Sequence, residues 1–209
     1  MVNPDGSNIV WTANNMWRKN AHAGVASIYG VDNNRNYNYR WGECNGSSAN
    51  TGAQDYRGPA AGSEPETQAV MKLADYVHPT ASLSYHSYSE FVLYPYGCQG
   101  DLTSENVLIQ KVANELAAIL PRDSGRGNYT PGTPWKLLYS VDGSSMDYLY
   151  AAHGALALTF EINTDFQPNY SIRDATVAKH RNAWMYFLNR ATKNMHRIVT
   201  GKQIGRAHV

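Results

Sequence analysis

Two segments without charged side chains stand out in the pattern of apolar and polar positions along the chain. They cover residues 81–85 and 155–160, and each comes just after a helix breaker, Pro79 and Gly154 respectively. Uncharged runs of this length are typical of strands buried on both faces, and the sequence that separates them has helical spacing. The pattern therefore predicts parallel strands joined by crossover connections.

Helical patterns surround the two strands. A capping-box sequence with a proline inside the first turn, at residues 63–66, predicts a helix that ends at His78. Further helices are predicted over residues 104–120, 144–153 and 172–198. The predicted buried face of the last helix includes the apolar residues Val177, Trp184 and Leu188. The order helix, strand, helix, strand, helix predicts a three-layer α/β architecture.

The composition mainly excludes classes of partner and of location. The 209 residues suit one domain with a substantial core. Charged residues make up 17% of the chain and the formal net charge is +1, so composition predicts neither nucleic acid nor an anionic membrane as a partner. No apolar run reaches transmembrane length. Cys44 and Cys98 lack the spacing of a metal site. They form either one disulfide or none, and the sequence does not decide between the two.

An ionisable residue follows each of the two predicted strands. His86 lies just beyond the first strand, and Glu161 lies just beyond the second. Ligands bind at the carboxyl ends of parallel strands, so the two side chains are candidates for a metal ligand and a general base in one crevice. Taken alone, a histidine at a strand end is more often a hydrogen-bonded structural residue.

The order of the polar clusters in the loops is more informative than any one of them. Eight short motifs resemble those of the zinc carboxypeptidase family, especially its carboxypeptidase A and carboxypeptidase T types. In chain order they are Asn-Pro-Asp-Gly at residues 3–6, Trp-Arg-Lys at 17–19, Asp-Asn-Asn-Arg-Asn at 32–36, Tyr-Arg-Gly at 56–58, Ser-Glu-Pro-Glu at 63–66, His-Ser-Tyr-Ser at 86–89, Leu-Tyr-Pro-Tyr-Gly at 93–97 and Thr-Phe-Glu at 159–161. The resemblance covers nearly the whole chain. It implies a three-layer α/β/α fold with a mixed, mostly parallel sheet.

The resemblance also implies catalytic roles. His86 matches the third zinc ligand of the family. Glu161 matches the general base that deprotonates the attacking water and then protonates the leaving amine. Arg18 matches the arginine that stabilises the oxyanion, because it places positive charge where negative charge develops.

Further residues match the substrate-binding positions of the family. Asn34 and Arg35 match the pair that grips the C-terminal carboxylate of the substrate, which a guanidinium binds bidentately. Tyr139 matches the mobile tyrosine that folds over the bound residue. Ser87 and Tyr88 flank the ligand histidine, and the sequence leaves open whether they line the cleft or pack beneath it. Without the family motifs, a structural role is as good an interpretation as a functional one: Arg35 could form a structural ion pair, and Tyr139 could be an aromatic residue on the surface.

Met146 matches the residue at the base of the specificity pocket. Methionine is apolar where relatives specific for basic residues carry an acid, so we expect a preference for neutral or hydrophobic C-terminal residues. The nearby Asp142 argues against this interpretation.

One family motif is absent. The first two zinc ligands of the family come from an upstream His-x-x-Glu sequence, and no histidine in this chain has a glutamate three residues later. The chain also opens on a turn signature at residues 3–6. We therefore predict that residues 1–203 are the C-terminal two thirds of a catalytic domain that is incomplete at its N-terminus. Residues 204–209 are predicted to be a non-native tail.

The predicted function is that of a zinc-dependent metallocarboxypeptidase, secreted or periplasmic and monomeric, that acts on peptide or protein C-termini. With two of three zinc ligands expected upstream, this chain alone is expected to be inactive. A cell-wall peptide amidase or a deglutamylase of the same fold is one alternative, against which Asn34 and Arg35 argue. A non-catalytic peptide-binding pseudoenzyme is the other, against which Arg18 and Glu161 argue.

Overall fold

The fold is seen in a computed structural model that describes residues 2–14, 16–23 and 29–194. It begins with helix α1, Pro4–Thr12, where the sequence predicted a turn. The turn residues form the start of this helix instead: the Asn3 side chain accepts a hydrogen bond from the Gly6 amide at 2.9 Å, and Pro4 occupies the first helical position.

A mixed sheet organises the molecule. Its strands are β1 (Ala81–Ser87), β2 (Phe91–Leu93), β3 (Thr130–Gly132) and β4 (Leu156–Ile162), in the spatial order β1-β4-β2-β3. β1 pairs with β4 in parallel, β2 pairs with β3 in parallel, and β2 pairs with β4 in the antiparallel sense. The predicted parallel pairing of the two uncharged segments is therefore confirmed, and its register sets His86 directly opposite Glu161.

Helices cover the sheet on both faces. Those after α1 are α2 (Pro65–Val77), α3 (Asn106–Ala118), α4 (Pro134–Leu137), α5 (Ser145–His153) and α6 (Arg173–Asn189). Helices α2 and α5 contact one another, as do α3 and α6, which gives the predicted three-layer α/β arrangement. The prediction for α5 is confirmed in detail, because Ser144 caps its first turn and Gly154, at φ +65°, ends it.

Two helix predictions are wrong in detail. The capping box at residues 63–66 does not form: α2 begins after Glu64, and the Ser63 hydroxyl donates to the Glu64 carboxylate at 2.6 Å. On α6, Val177 and Leu188 are 54% and 52% exposed. The buried positions are His180, Ala183 and Phe187. The His180 imidazole contacts three aromatic rings: Tyr85 of β1, Phe160 of β4 and Tyr129 just before β3. Tertiary packing therefore selected the face of α6 that carries His180.

Cys44 and Cys98 form a disulfide, which resolves the question that the sequence left open. Their Cα atoms are 5.5 Å apart, within the normal range for a bridge. Within the described ranges, none of the helices is both long enough and apolar enough to cross a membrane. The end of the predicted last helix, residues 195–198, and the predicted tail, residues 204–209, lie outside the described residues.

Candidate active site

The nine residues singled out from the sequence line one cavity of about 270 Å³. They are Arg18, Asn34, Arg35, His86, Ser87, Tyr88, Tyr139, Met146 and Glu161. Eight further residues complete the lining: Ser89, Leu93, Pro134, Leu138, Val141, Ser144, Thr159 and Phe166. The fold therefore brings the predicted residues together from segments that are far apart in the chain, while the roles assigned to them stay predictions.

His86 lies near the end of β1, where its Nε2 atom is 3.1 Å from the Ser84 hydroxyl. Burial and, to a smaller extent, the positive charges of Arg18 and Arg35 lower the pKa of the imidazole to about 4, against an opposing effect of Asp32. The ring is therefore neutral near pH 7, which is the form that binds a metal ion.

Glu161 lies on β4, in register with His86. Burial raises the pKa of its carboxyl group to about 7, and Arg18 and Arg35 oppose that rise. A carboxyl group with a pKa near the working pH exchanges protons readily, which suits general acid-base catalysis.

Arg18 is held by a carboxylate that sequence reasoning treated only as part of a motif. Asp32 is buried, and its Oδ2 atom accepts from Arg18 Nε at 2.7 Å and from Arg18 Nη2 at 2.6 Å. The negative charge of Asp32 raises the pKa of the Arg18 guanidinium. The Oδ1 atom of Asp32 accepts from the Asn34 amide at 3.1 Å, so the same carboxylate caps the turn Asn33–Arg35. The sequence signal for this role was the aspartate directly before that turn.

Arg35 is only 3% exposed, although it lines the cavity. Its Nε atom donates to the Gly46 carbonyl at 2.9 Å, and its Nη1 atom donates to the Asn34 carbonyl at 2.8 Å. Among the described residues, its Nη2 atom has no hydrogen-bond partner. Arg35 also forms a long ion pair with Asp32, whose Oδ2 atom lies 3.9 Å from Nη1, so the two carbonyls hold the guanidinium more closely than this carboxylate does.

Asn34 is held by its side-chain oxygen. That oxygen accepts from the backbone amide of Ser145 at 3.0 Å and from the Ser145 hydroxyl at 3.1 Å. The amide group of Asn34 is thereby oriented by the start of α5. Within the described part of the chain, its Nδ2 atom donates to no protein group and is available to a ligand in the cavity.

Aromatic residues form the rim of the cavity. Tyr139 is 56% exposed and lies in the loop between α4 and α5. Tyr88 contacts Phe166 edge to face with ring centroids 4.8 Å apart, and the Ser87 hydroxyl donates to the Phe166 carbonyl at 3.1 Å. Ser87 and Tyr88 therefore line the cavity as well as packing at its rim. Sequence reasoning missed Phe166, since no local pattern distinguishes it.

Met146 and Asp142 differ in their relation to the cavity. Met146 is 6% exposed and lines the cavity from the first turn of α5. Asp142 is fully buried, and its carboxylate accepts from the backbone amides of Cys44 and Gly46, both at 3.0 Å. The acid that complicated the specificity interpretation is thus absent from the cavity lining.

The described residues do not complete a metal site by themselves. Among them, no group of three histidine, cysteine, aspartate or glutamate side chains could hold an ion. His86 is neutral and faces the cavity, so it suits one ligand position, whereas a catalytic zinc site uses three protein ligands.

Comparison with protein families and curated proteins identifies relatives. The model of the zinc carboxypeptidase family (Peptidase M14) matches residues 1–183. The chain is 32% identical over 167 residues to zinc carboxypeptidase A 1 of Anopheles gambiae, covering 78% of this chain and 38% of that protein. It is 36% identical over 170 residues to carboxypeptidase B of Bos taurus, covering 78% of this chain and 39% of that protein. The chain therefore spans well under half the length of these relatives.

Solved structures agree. Bovine thrombin-activatable fibrinolysis inhibitor, in complex with tick carboxypeptidase inhibitor, superposes with a TM-score of 0.82 at 28% identity, over 93% of this chain and 68% of that one. The carboxypeptidase A from Helicoverpa armigera superposes with a TM-score of 0.77 at 26% identity, over 91% of this chain and 49% of that one. Because the family model matches residues 1–183 and the shared fold extends over nearly the whole chain, the chain belongs to the zinc carboxypeptidase family.

Proposed function

We propose that the protein hydrolyses the C-terminal peptide bond of peptides and proteins as a zinc-dependent metallocarboxypeptidase. One observation carries this proposal: Arg35 presents an unpaired guanidinium nitrogen to the cavity that also contains His86 and Glu161. A cation in the same cavity as a candidate base suits a substrate with a free carboxylate next to the bond that is cleaved.

The carboxylate of the substrate binds to the loop side of the cavity. Among the described residues, neither Arg35 Nη2 nor Asn34 Nδ2 donates to a protein group, and a carboxylate has the oxygens to accept from both. Tyr139, exposed at the rim, closes over the bound residue. Because Arg35 is buried, its interaction with the carboxylate is screened little by solvent.

The reaction combines Glu161 from the strand side of the cavity with Arg18 from the loop side. Glu161 accepts a proton from the attacking water and returns it to the leaving amine, and its raised pKa suits both steps. Arg18 supplies positive charge for the oxyanion that develops at the scissile carbonyl. Zinc would be held by His86 with two further ligands from outside this chain, and when bound it supplies Lewis-acid polarisation.

The cavity lining also supports a substrate preference. Met146, Val141 and Leu138 give it an apolar portion, and Asp142 does not reach it. We propose a preference for neutral or hydrophobic C-terminal residues.

The compartment and the extent of the chain are part of the proposal. The Cys44–Cys98 disulfide supports a secreted or periplasmic location, because such bridges persist in oxidising compartments. We propose that residues 1–203 form the C-terminal part of a longer catalytic domain, and the monomeric state stays a prediction.

A non-catalytic peptide-binding role is the second candidate. It is favoured by the incomplete set of metal ligands among the described residues. Under either role the carboxylate grip is the same, so activity has to be measured in a protein that contains this chain together with the remaining ligands. An amidase or deglutamylase would not need the grip.

The test compares a blocked dipeptide that ends in a free carboxylate with its amidated form. We expect the longer protein to bind zinc and to hydrolyse only the free acid, and the 209-residue chain to hold little zinc after dialysis and to be inactive. Equal hydrolysis of the amide would contradict the carboxypeptidase proposal in favour of an amidase. A zinc-loaded longer protein with no turnover would favour the peptide-binding role, and near-stoichiometric zinc in the 209-residue chain would show that its own residues complete the site.

A further inference from the structure

Asp142 is a buried carboxylate outside the cavity lining that satisfies three donors of one loop. Its Oδ2 atom accepts from the backbone amides of Cys44 and Gly46, both at 3.0 Å, and its Oδ1 atom accepts from the Ser47 hydroxyl. A carboxylate can accept these three hydrogen bonds together because it has two oxygens and no hydrogen of its own. Asp142 therefore clamps residues 44–47 to the loop that carries Tyr139.

Neighbouring contacts strengthen this clamp. The Ser140 hydroxyl donates to the Cys44 carbonyl at 3.1 Å, and the Val141 amide donates to the Gly97 carbonyl at 2.9 Å. The disulfide also ties Cys44 to Cys98. The packing is close: a Cβ atom added to Gly46 would lie 2.5 Å from the Asp142 nitrogen.

Gly46 connects the clamp to the cavity. Its amide donates to Asp142, and its carbonyl accepts from Arg35 Nε at 2.9 Å. The Asn34 carbonyl, from the neighbouring residue, is the other acceptor that holds the Arg35 guanidinium. The position of residue 46 thus sets the direction in which Arg35 presents its unpaired nitrogen.

We propose that Asp142 is a positioning residue for recognition of the C-terminal carboxylate. Through Gly46 it orients the Arg35 guanidinium, and through its own backbone it joins Arg35 to the loop that carries Tyr139. The inference rests on the proposed carboxylate grip of Arg35 and adds the residue that holds that grip in place.

The variants separate this role from general loss of structure. Asp142→Ala removes all three acceptor interactions. In Asp142→Asn, the side-chain oxygen takes the place of Oδ2 and still accepts from the two backbone amides. Its NH₂ group takes the place of Oδ1 and donates to the Ser47 hydroxyl oxygen, so this variant preserves the clamp. Asp142→Ser retains one oxygen and replaces the alanine variant if that protein does not fold. Glu43→Ala is the matched control, since it removes a 57% exposed carboxylate beside the same loop.

The first measurement follows Arg35 directly. In the NMR spectrum of the 209-residue chain, the Arg35 Nε–H signal should be protected from solvent exchange in the wild type, in Asp142→Asn and in Glu43→Ala. It should lose that protection in Asp142→Ala or Asp142→Ser. Protection that persists in those two variants would overturn the proposal.

The second measurement uses ligands with and without a carboxylate. N-acetyl-L-phenylalanine should bind more tightly than its amide, and Asp142→Ala should reduce that preference by about tenfold, which corresponds to one charge-assisted hydrogen bond. An unchanged preference would overturn the proposal. If the wild type binds acid and amide equally, the proposed grip of Arg35 fails, while the NMR signal still decides whether Asp142 orients Arg35.

Discussion

The two walls of the cavity differ in what holds their functional side chains. The strand wall consists of His86 and Glu161, which the parallel pairing of β1 and β4 sets side by side. The loop wall consists of Arg18, Asn34 and Arg35: Arg18 donates to the Asp32 carboxylate, Arg35 donates to the Gly46 carbonyl, and Asn34 accepts from Ser145. Backbone pairing depends little on side-chain identity, so a substitution in the strand wall removes chemistry and leaves geometry. In the loop wall, residues outside the cavity lining control geometry.

Removing the proposed base from the strand wall should have the largest effect. In the longer protein that we propose, Glu161→Gln should reduce kcat by about 10²–10⁴-fold, because the amide cannot accept the proton. Its zinc content, measured by metal analysis, should stay at the wild-type level, whereas His86→Ala should lose the metal as well. Glu43→Gln is a control on an exposed carboxylate. A Glu161→Gln enzyme with substantial activity would refute the role given to the strand wall.

The next effect is on the pH dependence of folding stability, through the buried residue Asp147. Asp147 is fully buried, one of its oxygens accepts from the Gly97 amide at 2.9 Å, and the other has no partner among the described residues. Burial raises the pKa of Asp147 from 3.8 to about 7, with a smaller contribution from Asp101 and an opposing one from Arg35. The folded state therefore holds this proton more tightly than the unfolded state does.

That difference predicts the direction of a pH dependence. The stabilising contribution of Asp147 is complete below about pH 4 and is lost as the pH rises to about 7, which costs at most about 4 kcal/mol at 1.36 kcal/mol per pK unit. Denaturant unfolding across this range should show a decline that Asp147→Asn flattens. A decline of the same size in the variant would assign it to other groups.

Breaking the loop wall from outside the lining should have a smaller effect. Asp32→Ala should lower kcat/KM by about 10–100-fold, because Arg18 loses the carboxylate that orients it. Combining Asp32→Ala with Arg18→Ala should add little beyond either change alone. Asp174→Asn is a matched control, since it alters an exposed aspartate–arginine pair. Fully additive effects would show that Asp32 does not act through Arg18.

The smallest effect is a change of preference. Met146→Asp should shift the ratio of kcat/KM values from substrates ending in Phe or Leu toward those ending in Lys or Arg, by about tenfold, because only a cationic side chain pairs with the new buried charge. Met185→Asp, on the exposed side of α6, is the control. A constant ratio would mean that Met146 does not contact the C-terminal side chain.

Sequence reasoning succeeded where a short segment carries its own signal. The uncharged runs before His86 and Glu161 indicated strands, and their pairing follows from the crossover rule. Helix α5 was predicted well because Ser144 and Gly154 supply local start and stop signals. Such signals operate over one or two turns of chain, so they need no knowledge of the rest of the fold.

Sequence reasoning failed where a contact joins segments that are far apart in the chain. Apolar spacing favoured Val177 and Leu188 on α6, yet the packed face carries His180, because the rings that surround this imidazole come from other elements. The clamp of Asp142 on residues 44–47 spans almost a hundred positions and leaves no local pattern.

The sequence by itself determined the family, the layered α/β architecture and nine of the side chains that line the cavity, since these follow from local patterns and ordered motifs. Only the tertiary structure decided that Cys44 pairs with Cys98, that Asp32 holds Arg18 and that Asp142 turns away from the cavity toward Gly46. The physical reason is that hydrogen bonds and disulfides form between groups that chain folding brings within about 3–6 Å, and that proximity is a property of the whole packed chain.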